Sequence, residues 1–211
     1  MGWDKPAPPE VKKAWSKTIA GLHRLEHLKI PRWLGTGPSI KPTELHIFGD
    51  ASEAGYGAVA YIREESNGSH KTALLCSKTV VAPLPKKEVS LPRLELLSSL
   101  LAVQLGEFIK NALCDRTFTT TYWSDSKVAL GWIKGDSSRW QTYVKNRVDK
   151  IQKVSSASWW RHCPGLENPA DLASRGASAE ALVDSKLWWE GPHWLSKDES
   201  CWPSEEQQLN E

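Results

Sequence analysis

Four acidic residues stand where predicted strands end or within predicted helices: Asp50, Glu95, Asp125 and Asp171. Asp50 and Asp125 each end an apolar or aromatic run typical of a β-strand, L-H-I-F-G-D and T-T-T-Y-W-S-D. Glu95 lies in the helical pattern L-P-R-L-E-L-L, and Asp171 opens the helical segment E-N-P-A-D-L-A-S-R. Carboxylates placed in this way can converge on one point, where a hard cation such as Mg²⁺ relieves their repulsion. The pattern therefore predicts a metal-dependent hydrolase that acts on a phosphodiester.

Composition is compatible with this chemistry. A length of 211 residues with 40% hydrophobic residues allows one domain with a real core and some extensions. The net charge is only +2, but residues 127–153 contain seven Lys or Arg against two Asp. A local basic surface beside carboxylates suits a polyanionic substrate. A solvated helix surface explains any single lysine of this region equally well.

Cysteine usage and hydropathy limit the environment of the chain. The four cysteines are scattered without a C-x-x-C motif, which argues against a zinc ribbon and favours a reduced, intracellular protein. Cytoplasm and nucleus are both left open. No stretch has the length and apolar character of a signal core or a membrane span, so we expect no membrane partner.

Periodicity and turn residues predict the element order β-β-β-α-β-α-α-β-α. Three consecutive antiparallel strands followed by strands added through helices indicate an α/β fold. We expect a mixed five-stranded sheet, three antiparallel strands and then parallel strands, with helices on both faces. The predicted strands are 44–50, 55–64, 71–80, 117–124 and 158–162, and the predicted helices are 91–113, 126–134, 140–154 and 168–175.

That element order, with acids at those four places, resembles the ribonuclease H fold. The segments that carry the resemblance are F-G-D-A-S-E-A-G-Y-G-A-V, R-L-E-L-L, W-S-D-S-K-V-A-L and H-C-P-G-L-E-N-P-A-D-L-A-S-R. Within this fold the chain is most similar to the ribonuclease H region of BEL/Pao-type retrotransposon polyproteins. The upstream I-P-R-W and the downstream L-W-W-E-G-P-H-W-L support that finer match.

The resemblance implies a division of the chain into three parts. Residues 1–40 would form an N-terminal helix, predicted over 9–28, and a connector. Residues 41–177 would form the ribonuclease H-like domain. Residues 178–211 would be a Trp-rich C-terminal extension with an acidic tail, and we expect its Trp-rich part to pack as a small appendage.

The resemblance also implies a mechanism and a catalytic set. Asp50 would bridge two Mg²⁺ ions, with Glu95 and Asp125 completing the shell of one ion and Asp171 that of the other; Mn²⁺ is expected to substitute. His162, at the start of the loop before Asp171, would assist proton transfer or product release.

The implied substrate is an RNA/DNA hybrid, whose RNA strand is distinguished by its 2′-hydroxyls. Ser124, Ser126 and Asn168 are predicted to contact its backbone or sugars. The implied partner is an upstream reverse transcriptase domain of the same polyprotein, since no Y-x-D-D polymerase motif occurs in this chain.

Two other functions have the same acids as their possible basis. A catalytically idle domain that binds nucleic acid or serves a structural role stays open, because intact acids argue against decay without excluding it. An aspartic peptidase needs an Asp in a D-[ST]-G turn. Asp50 precedes Ala-Ser and Asp125 precedes Ser-Lys, so peptidase chemistry is rejected.

Overall fold

The computed structural model describes residues 6–30, 43–66, 68–83 and 89–204. The chain divides into two compact units, a smaller one of Met1–Leu34 with Ala177–Ser185 and a larger one of Gly35–Gly176 with Lys186–Glu211. The described helices and strands, in chain order, are α1 Pro9–Leu22, β1 Thr43–Ala51, β2 Gly55–Ser66, β3 Ser69–Val81, α2 Leu91–Ala112, β4 Phe118–Ser124, α3 Lys127–Lys134, α4 Thr142–Gln152, β5 Trp160–His162, α5 Ala170–Arg175, α6 Ala179–Asp184 and α7 Lys186–Glu190.

The larger unit is built on one five-stranded sheet with the order β3-β2-β1-β4-β5. The pairs β1–β2 and β2–β3 are antiparallel, whereas β1–β4 and β4–β5 are parallel. The predicted mixed sheet is therefore confirmed. Three elements start two residues later than predicted, because the 3₁₀ turns Ser137–Arg139, Ala157–Trp159 and Gly165–Glu167 precede α4, β5 and α5.

One face of the sheet packs against α2, α3 and α4. Alternate residues of β1, Leu45 and Ile47, point into this core together with Tyr122 of β4. The Tyr122 and Trp160 rings stack with their centroids 4.9 Å apart, which extends the core to the edge strand β5. Helix α2 buries a row of apolar side chains in this core, among them Leu101, Leu105 and Ile109.

The opposite face is covered by α5 and by the C-terminal segment. Phe48, Tyr61 and Trp123 point to this side, where they pack against the buried Trp194 and Trp202. Residues 186–204 thus belong to the core of the larger unit and do not form a separate appendage. The physical reason is that α5 has only six residues and leaves much of this aromatic face without cover. The predicted domain boundaries themselves stay a prediction.

A buried ionic cluster attaches the C-terminal segment to the sheet. The Arg63 guanidinium donates from Nε to the Leu195 carbonyl and from Nη2 to the Lys197 carbonyl, both at 2.8 Å. Its Nη1 donates to the carboxylate of Glu44. The buried arginine is therefore both charge-paired and hydrogen-bonded, as burial of a guanidinium requires.

The smaller unit contains α1, a 3₁₀ turn and α6. The helix predicted over 9–28 is α-helical as far as Leu22 and continues as a 3₁₀ turn over His23–His27. Arg24 and Glu180 form an ion pair of 3.0 Å between this turn and α6. The predicted connector lies mostly outside the described residues. Within the described ranges, no helix has the length and hydropathy to cross a membrane.

Candidate active site

Two neighbouring parallel strands place Asp50 and Asp125 side by side. Gly49 of β1 pairs with Ser124, the last residue of β4, and each aspartate is the residue that follows. The two carboxyl groups are close enough to influence each other's titration, and the pKa of each is raised, chiefly by burial. The sheet register therefore brings together two carboxylates that are 75 positions apart in the sequence.

Helix α2 adds Glu95 to this pair because it crosses β1 closely. A Cβ atom on Gly49 would lie only 3.2 Å from the Ser98 carbonyl oxygen, so a larger residue would crowd the crossing point. Glu95 lies one turn before Ser98 on the same helix. Its carboxylate accepts a hydrogen bond from Oγ of Ser126, the residue after Asp125 and the N-cap of α3.

Helix α5 approaches the site from the other face of the sheet. A Cβ on Gly57, the β2 residue opposite Asp50, would lie 2.7 Å from the Cβ of Ala173, so this docking also requires glycine. The helix thereby brings Oγ of Ser174 to Oδ2 of Asp50, to which it donates a hydrogen bond. Asp171, one turn earlier, is partly exposed and accepts a hydrogen bond from its neighbour Arg175.

The carboxylates perturb one another electrostatically. The pKa of Asp50 is raised to about 7, mainly because the carboxyl group is buried; the Ser174 hydrogen bond opposes this rise, and the charges of Asp125 and Asp171 add to it. Burial also raises the pKa of Asp125, with a contribution from the charge of Glu95. The pKa of Glu95 is raised by burial and by the charge of Asp50, against the Ser126 hydrogen bond. The structure thus brings all four predicted acids into one interacting group.

This group fits a hard divalent cation in donor type and charge, because it offers only carboxylate oxygens and concentrates negative charge. The side-chain positions do not form a finished metal site. Among the described residues, no set of three or more His, Cys, Asp or Glu side chains is placed to hold a metal ion. Hydrogen bonds from Ser174, Ser126 and Arg175 occupy oxygens of Asp50, Glu95 and Asp171. A cation would have to exchange for these donors.

His162 ends β5 in register with Ser124, next to the acids. Its Nε2 lies 3.2 Å from the backbone carbonyl oxygen of Asp125. It also lines a cavity of about 310 Å³ together with Lys134 and Arg161. Its position is compatible with the predicted proton-transfer role, which stays a prediction.

The three predicted substrate contacts are buried and hydrogen-bonded within the protein. Oγ of Ser124 accepts from the backbone N–H of Ser126, whose own hydroxyl bonds to Glu95. Asn168 donates from Nδ2 to the Gly49 carbonyl oxygen at 3.1 Å. All three lie beside the acids and support the site from within, so direct substrate contact by them stays a prediction.

Sequence reasoning missed Ser174, which holds Asp50, and Arg175, which holds Asp171. The available signal was helical spacing. Positions i, i+3 and i+4 share a helix face, and these two residues follow Asp171 at those offsets.

The fold and the grouped acids define a ribonuclease H-like domain. The chain belongs to the family described as the Pao retrotransposon-like RNaseH-like domain, whose model matches residues 1–126. The match includes Asp50, Glu95 and Asp125 and ends before His162 and Asp171. No curated protein matches the chain.

Three solved structures are similar to the chain at low identity. LC11-RNase H1 in complex with an RNA/DNA hybrid is 16% identical, with 66% of this chain and 99% of that chain covered and a TM-score of 0.45. RNase H1 from Halobacterium salinarum is 12% identical, with 69% and 100% covered and a TM-score of 0.41. The N-terminal RNase H domain of rv2228c from Mycobacterium tuberculosis is 15% identical, with 66% and 96% covered and a TM-score of 0.41.

Proposed function

We propose that this chain is a divalent-cation-dependent endonuclease that hydrolyses the RNA strand of RNA/DNA hybrids. It would act as part of, or as a descendant of, a retrotransposon polyprotein that carries out reverse transcription. The single observation that supports this most strongly is the convergence of Asp50, Glu95 and Asp125, three carboxylates from three separate elements, in one partly buried group. Structural ion pairs offset such charge with Arg or Lys, whereas a nuclease centre offsets it with metal ions.

Asp50, Glu95, Asp125 and Asp171 are the residues that would hold two Mg²⁺ ions, with Mn²⁺ as a substitute. Bound there, the ions would acidify a water molecule and offset the charge that develops on the phosphate. Ser174 and Ser126 would orient the Asp50 and Glu95 carboxylates. His162, beside Asp125, would give or take a proton at the leaving oxygen of the phosphodiester.

The substrate class follows from the family and from the charge distribution. Family membership suggests a nucleic acid of reverse transcription, and the seven basic residues of 127–153 supply positive charge for a phosphate backbone. A hybrid-specific enzyme must also sense the 2′-hydroxyls of the RNA strand. An upstream reverse transcriptase domain would be the natural partner and would contribute to substrate grip.

A second candidate function is a nucleic-acid-binding domain without catalysis. One observation favours it: within the described residues the acids are hydrogen-bonded to neighbouring donors and are not arranged as a metal site. In a catalytic domain, those donors yield to cations when the site is loaded. In an idle domain they do not.

Matched duplexes of one sequence, labelled on one strand at a time, separate the two candidates. We expect the purified chain with Mg²⁺ to cut the RNA strand of the RNA/DNA duplex and to leave the DNA strand, DNA/DNA and RNA/RNA intact. EDTA should stop the cutting. Tight hybrid binding without cleavage in Mg²⁺ or Mn²⁺ would instead support the idle domain.

A further inference from the structure

A tight turn between β5 and α5, Gly165–Glu167, presents the most exposed large hydrophobic side chain among the described residues. This side chain is Leu166, which is 98% exposed. Single exposed leucines are ordinary on protein surfaces, so exposure alone carries no functional meaning. Leu166 differs from a scattered surface leucine in what holds its turn and in what lies beneath that turn.

The turn is held rigidly on both sides of Leu166. Nε1 of Trp194 donates to the Glu167 carboxylate at 2.8 Å, and Nδ2 of Asn168 donates to the Gly49 carbonyl oxygen at 3.1 Å. Backbone hydrogen bonds from the N–H groups of Glu167 and Asn168 close the turn itself. Because Trp194 and Asn168 are buried, the turn is fixed to the core, and Leu166 cannot fold back to bury itself without breaking these bonds.

The turn lies directly against the candidate catalytic centre. A Cβ on Gly165 would lie 3.3 Å from Oδ2 of Asp125, so the backbone before Leu166 packs on that carboxylate. A second aliphatic side chain, Val128, is 48% exposed and follows Asp125 by three residues in the first turn of α3. Exposed aliphatic groups therefore stand on two elements that flank one acid of the centre.

We propose that Leu166 contacts the nucleic-acid substrate at the sugar and base edge of the nucleotide beside the cleaved phosphate, with Val128 on the other side of Asp125. This deepens the proposed function and rests on it. A phosphate that reaches Asp125 brings its own sugar within reach of side chains that flank this carboxylate. The minor groove of an A-like duplex is wide and shallow, and an aliphatic contact there requires no particular base. Leu166 would thus contribute affinity without sequence preference.

The test measures binding without cleavage, by fluorescence anisotropy of a labelled RNA/DNA hybrid with full-length protein carrying Asp50→Asn. Against this parent, Leu166→Ala should weaken binding about 5-fold through loss of apolar contact, whereas Leu166→Met should bind like the parent. The ratio between the affinities of the parent and of Leu166→Ala should stay constant as the salt concentration rises, because an apolar contact releases no counterions. Unchanged melting temperatures would show that the variants are folded.

Phe108→Ala is the matched control. Phe108 is 66% exposed on α2, 13 residues after Glu95 and therefore about 20 Å further along the helix. The Phe108→Ala variant should bind the hybrid with the same affinity as the Asp50→Asn parent. Equal binding by the parent, Leu166→Ala and Phe108→Ala would overturn the inference and leave the proposed function intact. Failure of the Asp50→Asn parent and of the wild type to bind any hybrid would overturn both.

Discussion

Ser174 donates a hydrogen bond from its Oγ to Oδ2 of Asp50 and thereby joins α5 to β1 across 124 positions of sequence. Both side chains are buried, with residue exposures of 3% and 5%. Oγ of Ser174 also lies 3.1 Å from the Asp171 carbonyl oxygen, to which it can donate as an alternative. One hydroxyl thus connects the first and last acids of the candidate centre.

Ser174→Ala should reduce cleavage of the hybrid about 3–10-fold at pH 7, the equivalent of one hydrogen bond. The variant leaves the Asp50 carboxylate without its hydroxyl donor. Because the Ser174 hydrogen bond lowers the pKa of Asp50, its loss should also move the rise of activity with pH to higher pH. The measurement is the rate of cleavage against pH. Ser196→Ala, which removes an exposed hydroxyl outside the candidate centre, is the control and should leave the pH dependence of cleavage unchanged. A Ser174→Ala profile that overlays the wild type would contradict this role.

Asp50→Asn should stabilise the metal-free protein at pH 8. In the folded protein the pKa of Asp50 is about 7, above its ordinary value of 3.8. Asp50 therefore makes its full contribution to the free energy of unfolding below about pH 4, and this contribution is lost as the pH rises through about 7. Asparagine carries no charge and avoids that loss, which we expect to be worth about 1–3 kcal/mol. Thermal melting in EDTA at pH 4 and pH 8 measures the difference. A wild type that melts at the same temperature as Asp50→Asn at pH 8 would be the contrary result.

His46 should make the fold sensitive to mild acid. Burial lowers the pKa of His46, while Glu44 favours the charged form and Arg63 and Arg161 oppose it. Nε1 of Trp123 donates to Nδ1 of His46 at 3.2 Å, so a protonated ring would lose that bond. Since the folded pKa is depressed, stability is complete above about pH 6.5 and falls as pH drops below it.

The measurement for His46 is the free energy of unfolding in urea between pH 5 and pH 8. His46→Gln should flatten the acid side of this curve, at some cost in packing at every pH. His27→Gln, a change at an exposed histidine, should leave the shape of the curve as in the wild type. An acid side that stays equally steep in His46→Gln would rule out this residue as the cause.

Arg63→Ala should destabilise the protein by about 2–4 kcal/mol, because it removes a buried guanidinium that donates to the Glu44 carboxylate and to the backbone carbonyls of Leu195 and Lys197. Increased proteolysis within residues 186–204 should accompany the loss, since Arg63 holds this segment. Lys145→Ala breaks a solvent-exposed ion pair with Asp149, and it should leave the free energy of unfolding close to that of the wild type. The measurement is the free energy of unfolding in urea. Similar decreases in both variants would show that the Arg63 cluster stabilises the protein no more than an exposed ion pair does.

The sheet could be predicted from sequence because its signals are local. The runs ending at Asp50 and Asp125, the turn residues between strands and the apolar stripe of α2 each identify an element by itself. The strand order then follows from the connections, since antiparallel neighbours precede strands added through helices.

The cover of the second face could not be predicted in the same way. Trp194 and Trp202 lie in short turns with no periodicity, and only the size of the aromatic face that α5 leaves open explains their burial. Side-chain hydrogen bonds of the site were also beyond sequence reasoning. Whether Ser174 meets Asp50 depends on how closely α5 docks at Gly57, which is a property of packing.

Cleavage of a strand-labelled RNA/DNA hybrid by the wild type and by Asp50→Asn decides whether the group of acids is a catalytic centre. We expect Mg²⁺-dependent cutting of the RNA strand by the wild type and by Asp184→Asn, an exposed control in the smaller unit. We expect no cutting by Asp50→Asn, although that variant should still bind the hybrid and should melt no lower than the wild type. Cutting by Asp50→Asn at the wild-type rate would contradict the assignment of this group of acids as the catalytic centre.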